Sequence, residues 1–202
     1  MVNLSSDIKQ KALFLVIAGI IFIVSVVLHP DETQQGFALN PLWLPVHIAI
    51  TISFLLIVFG VRVFFSLYKD KLGGFGRFTV NFVMVMSIFM VGLIFYFESL
   101  LVPVVAANSA YSSLLDPTGP LFGGSFGIIL VASFILLGLS FVLLGILILV
   151  KRTVNPIAGI LFFAILLLVF SPPLSHLVGV IGGVVLGLGL VWTGIGIMQK
   201  AR

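Results

Sequence analysis

Three histidines and one intramembrane carboxylate are the residues of this chain whose types could do chemistry together. His29 stands in Leu28-His29-Pro30, His47 in Trp43-Leu44-Pro45-Val46-His47, and His176 in a tight turn near the C-terminal end. Glu98 closes the apolar run Phe95-Tyr96-Phe97-Glu98, which carries no other charge from Phe78 onward. Neutral imidazoles and a carboxylate are the usual ligands of Zn, Cu or non-haem Fe. A buried carboxyl beside an imidazole is also a place to hold a proton. The spacings match no compact motif such as H-E-x-x-H, so any shared role depends on the fold bringing four distant segments together.

The elements that must position these residues are membrane helices. Of 202 residues, 61% are hydrophobic and 8% charged, with a mean hydropathy of +1.36. A soluble domain of this size carries about 25% charged residues, so lipid is the solvent for most of this surface. A helix needs about 20 apolar residues to cross the hydrocarbon. Six stretches come near or exceed that length, at about 11–28, 42–66, 79–102, 122–150, 156–171 and 177–198. The fold class expected is all-α, a single six-helix transmembrane domain over 1–202. The fifth stretch is short, opened by Asn155-Pro156 as cap and first-turn proline and stopped by Ser171-Pro172-Pro173.

Basic residues set the direction of threading. Lys9, Lys11, Arg62, Lys69, Lys71, Arg77, Lys151, Arg152, Lys200 and Arg202 all fall on one side, and the other side carries Asp31, Glu32 and Asp116. Positive loops stay cytoplasmic, which puts both termini inside and leaves no basic folded surface for a nucleic acid. The first stretch is too long for a signal peptide and lacks an A-x-A-like site. Glu98 then lies about 28 Å along the third stretch at helical rise. It shares an outer slab with His29, His47 and His176, and His47 is the partner expected for it.

Glycines mark the packing faces. Gly179, Gly183 and Gly187 recur every four residues, Gly182, Gly189 and Gly196 form a second row, and Gly123/Gly127 and Gly138/Gly145 repeat the pattern in the fourth stretch. Small residues at such spacing let membrane helices approach closely. Gly73-Gly74-Phe75-Gly76 lacks the ending of a phosphate loop and reads as a flexible inner turn. Trp43, Tyr96 and Tyr111 fall where an aromatic belt belongs. Ser53, Ser87, Ser133 and Ser140 are expected to bond their own helix backbones.

Several chemistries compete for the outer cluster. A bland reading makes each residue a boundary group that caps carbonyls or reaches water. Haem, with His47 and His176 as axial ligands, is disfavoured by the absence of outer Lys or Arg to meet propionates. A transport path is disfavoured by an apolar midplane. Gly124-Ser125-Phe126-Gly127 is not a nucleophile elbow, and the absence of cysteine removes thiolate chemistry. The segments around His29, His47 and Glu98, with Gly187-Leu188-Gly189-Leu190-Val191-Trp192, resemble small six-span prokaryotic membrane proteins of unassigned function. That resemblance implies a cytoplasmic membrane location and a six-helix fold, without an activity. The expectation is an outward-facing site of His29, His47, Glu98 and His176 that binds a transition metal or a protonatable small ligand. The competing one is an accessory subunit that packs on a membrane-protein partner or a second copy.

Overall fold

In the computed structural model, residues 4–32, 34, 36–115, 119, 123–170 and 175–201 are described, and they contain helices and no strand. Asp116, Ser171-Pro172-Pro173 and Arg202 lie outside them. Helices are what an apolar chain must form where no water can bond the backbone. They are α1 (Leu4–Leu28), α2 (Trp43–Leu93), a π-helical continuation (Ile94–Leu101) and α3 (Val102–Ala106). After these come α4 (Ser125–Lys151), α5 (Pro156–Leu161), a 3₁₀ turn (Phe162–Ala164), α6 (Ile165–Val169) and α7 (His176–Lys200). Short 3₁₀ turns lie at Phe37–Leu39 and Ser112–Leu115. Ser6–Leu28, Trp43–Ala106, Ser125–Lys151 and His176–Lys200 are each long and apolar enough to cross a membrane.

α2 is two arms, not one rod. Gly73 breaks it with φ 63° and ψ −168°, a backbone state that costs other residues about 1–2 kcal/mol. The Trp43 indole N–H donates to the Glu98 carbonyl at 2.7 Å, although a straight helix would hold them roughly 80 Å apart. The chain therefore folds back, and the expected flexible loop at 73–76 is a single-residue break between helical turns. The fifth stretch also differs from a uniform helix. Asn155 caps it, its side chain accepting from the Ile157 N–H at 3.0 Å, but the 3₁₀ turn at 162–164 then divides it. The third stretch ends in π-helix, and the fourth begins at Ser125, later than expected.

Every neighbouring pair of arms is antiparallel. Leu15 meets Gly60 while His29 meets His47, running α1 against the first arm of α2. Gly76 meets Leu147 and Phe97 meets Phe126, running the second arm against α4. Gly138 meets Val169 and Gly145 meets Gly159, running α4 against α5–α6. α7 then inserts between α5–α6 and α1 and closes the ring.

The two glycine rows of α7 do this work. A Cβ on Gly187 would stand 2.9 Å from the Gly19 carbonyl, and one on Gly183 2.8 Å from Val26. Gly179 is buried along the same row. On the other face, Gly182, Gly189 and Gly196 press on Leu168, Leu161 and Val154. Gly127 is buried in α4, but Gly123 is exposed. Of the serines, Ser133 and Ser140 bond their own helix. Ser53 instead donates to the Ala18 carbonyl of α1 at 2.9 Å, and Ser87 is buried without a hydrogen-bond partner.

Replacing Gly187 by Leu puts a side chain where the Gly19 carbonyl stands. We expect a loss of about 1–3 kcal/mol or more, read as a lower melting temperature in detergent. Gly92→Leu, at an exposed position with no atom within 4 Å of an added Cβ, should leave it unchanged.

Candidate functional site

Three segment ends meet at the end of the ring opposite Lys200. α1 stops at Leu28 because Pro30 cannot continue a helix, which leaves His29 just beyond the last turn. Trp43 opens α2 and places His47 one turn later. Ser175 caps α7, its hydroxyl accepting from the Val178 N–H at 3.3 Å, so His176 is the first residue of that helix.

His29 and His47 face each other through their Nε2 atoms at 3.2 Å. His29 Nδ1 lies 2.8 Å from the Pro30 carbonyl, and His47 Nδ1 lies 2.7 Å from the Trp43 carbonyl. A carbonyl only accepts, so each Nδ1 must carry a hydrogen. Two neutral imidazoles then have no hydrogen left for the Nε2 contact, and two lone pairs face each other. Three contacts need three hydrogens, and two are supplied. The pair is one cation short.

Burial makes that deficit persist. His47 is 4% exposed, and the His29 side chain 17%. Desolvation pulls the His29 pKa below the ordinary imidazole value; the bond to Pro30 opposes this, and His176 adds to it. The nearest counter-charge is Glu32, whose Oε1 lies 3.7 Å from His29 Nε2 on a side chain 60% exposed.

Aromatic contacts hold both rings. Trp43, 2% exposed, lies 4.2 Å from the His47 ring and 5.6 Å from the His29 ring. Phe37 covers Trp43 at 5.0 Å. Trp43 is thus a buried bracket, unlike the belt residue expected, whereas Tyr96 and Tyr111 are exposed. The His176 ring lies 6.4 Å from that of His29.

Of the four expected residues, His29 and His47 touch and His176 flanks them. Glu98 joins differently. Its backbone carbonyl takes the Trp43 indole hydrogen, while its carboxylate has no hydrogen bond or ion pair among the described residues. The partner of His47 is therefore His29, not Glu98, because the π-helical turn offers Glu98's main chain to the site. Glu32 is the residue that the spacing analysis missed as a site member. The signal was present in His29-Pro30-Asp31-Glu32, three positions apart, but Glu32 reads equally well as an outer-loop acid.

Among the described residues, no three His, Cys, Asp or Glu side chains stand gathered to hold a metal. Nor does the His pair suit a haem: axial imidazoles sit on opposite sides of the iron, farther apart than 3.2 Å. No family model, curated protein or solved structure matches the chain.

Trp43→Phe keeps an aromatic ring against His47 and removes the indole donor to the Glu98 carbonyl. Its expected cost is about 1 kcal/mol, measured by unfolding in detergent. Trp43→Ala, which also opens a cavity, should cost about 3–5 kcal/mol.

Proposed function

We propose that this protein is a polytopic membrane protein that crosses the bilayer six times, with both termini cytoplasmic, and takes up a cation at its outer rim. The reading rests on one observation: the His29–His47 pair is built with one positive charge fewer than its contacts require. The basic residues at the Lys200 end support the orientation. The antiparallel ring supports six crossings, with the two arms of α2 each forming one and α5–α6 forming a short one. The bilayer needed is the cytoplasmic membrane of a prokaryote, as the resemblance of the sequence implies.

The groups facing the pair define how it responds. Glu32 comes from the outer loop and His176 from the start of α7. The Glu32 carboxylate favours an arriving cation, while burial and His176 oppose a charge on the His29 imidazole itself. An open depression of about 280 Å³, lined in part by Pro30, Asp31 and Gln34, borders the same loop.

Orientation is testable directly, because the chain has no cysteine. A single cysteine at Gln34 should react with a membrane-impermeant maleimide on intact cells. One at Asp70 should react only after lysis, and the reverse result sinks the topology. Cation uptake has its own reporter in Trp43, with Trp192, the other tryptophan, replaced by Phe. An imidazolium against indole quenches its emission. Emission should fall as pH drops, with a midpoint below the ordinary imidazole value of about 6.5. The same sign holds for stability: a His held neutral by burial contributes fully above that value, and its contribution is lost as pH falls through the window below it. Emission that answers neither protons nor divalent metal would end this reading.

A further inference from the structure

Resting on the outer cation site just described, we propose that the cation it takes is a single proton, shared between His29 Nε2 and His47 Nε2, with Glu32 as the counter-charge beside His29.

The number of partners is the first ground. Two imidazoles suffice to hold a proton, whereas a transition ion takes about four ligands. Among the described residues no three His, Cys, Asp or Glu side chains are gathered for one. The contact itself is the second ground. The two Nε2 atoms lie 3.2 Å apart, a hydrogen-bonding distance, with ring centroids 4.9 Å apart and ring planes at 66°. Both Nδ1 hydrogens are already committed, to the carbonyls of Pro30 and Trp43. A change of tautomer does not mend the pair. Moving a hydrogen from Nδ1 to Nε2 only shifts the deficit, because a lone pair then faces a carbonyl.

An added proton fills the one contact that lacks a hydrogen. It bonds to one Nε2 lone pair, and the new N–H donates to the other Nε2. Both Nδ1 hydrogens stay in place, and the pair gains one positive charge.

The surroundings set the acidity at which this happens. His29 is the more exposed ring, and Glu32 Oε1 stands 3.7 Å from its Nε2 on a side chain open to water. That carboxylate favours the arriving charge. Asp31 and Glu98 interact electrostatically with Glu32. Against the charge stand the desolvation of His29 and the repulsion of His176 at the start of α7. Uptake therefore falls below the ordinary imidazole value of about 6.5.

The test uses the full chain with Trp192→Phe, purified in detergent and held in EDTA, with Trp43 emission followed from pH 8 down to about pH 4. Emission should fall in one step, and CoCl₂ or ZnCl₂ added at pH 8 without chelator should leave it unchanged. Glu32→Gln, at an exposed position, should move the midpoint down by about 0.2–0.7 of a pH unit, and His176→Gln should move it up. His29→Leu removes the acceptor of the shared hydrogen and should lower the midpoint by about one unit or more. In wild-type protein carrying 15N-labelled histidine, the Nε2 resonances of both rings should shift over the same pH range, a readout independent of whether His29→Leu folds. One ring shifting alone, or a midpoint indifferent to both Glu32→Gln and His176→Gln, overturns the assignment. Quenching by Co²⁺ or Zn²⁺ at pH 8 overturns it too, yet leaves the outer cation site standing. Silence to protons and metals alike removes the two together.

Discussion

Close approach of helix backbones is the constraint on which the rest of this structure depends. In lipid, burial of apolar side chains supplies little force between helices, because hydrocarbon surrounds them in either case. Contact comes from packing, and packing is tightest where a side chain is missing. Gly187 against Gly19 and Gly145 against Gly159 are such places, each with a carbonyl of the opposite helix where a Cβ would stand. The first of these pairs closes the ring of helices. His29 and His176 are carried on the ends of the two helices it joins.

The outer rim shows what a closed ring permits. Polar groups are costly in a membrane, and here several are answered by helix ends. The carbonyls of Pro30 and Trp43 hold the two imidazoles, and the indole of Trp43 answers a carbonyl in the π-helical turn of Glu98. π-helical turns free backbone groups from the regular ladder and frequently mark functional sites. Here the freed geometry ties the second helical hairpin to the histidine pair. The opposite end of the molecule is built on cations instead. Lys200 donates to the Thr153 carbonyl and lies over the Tyr68 ring, which joins three inner segments without a carboxylate.

These two ends divide the labour of the fold. The Lys200 end is rich in Lys and Arg. The opposite end gathers the three imidazoles. Between them the buried surface is nearly all apolar, and its hydroxyls mostly bond helix carbonyls, as Thr51, Ser133 and Thr193 do.

Composition and periodicity by themselves determined that the chain is helical, that it belongs in a bilayer, and which glycines line its packing faces. These follow from local physics: run length against hydrocarbon thickness, and spacing against the helical turn. The shared level of His29, His47 and His176 at one end of the helices was legible for the same reason, since helical rise converts residue count into depth. Azimuth and side-chain direction were not. Whether His47 faced His29 or Glu98, whether Trp43 pointed to lipid or inward, and whether Glu98 offered its carboxylate or its carbonyl were decided by how the helices rotate about their axes. That rotation is set by contacts between residues far apart in the chain, Gly187 with Gly19 and Trp43 with Glu98 among them, and no local pattern encodes it.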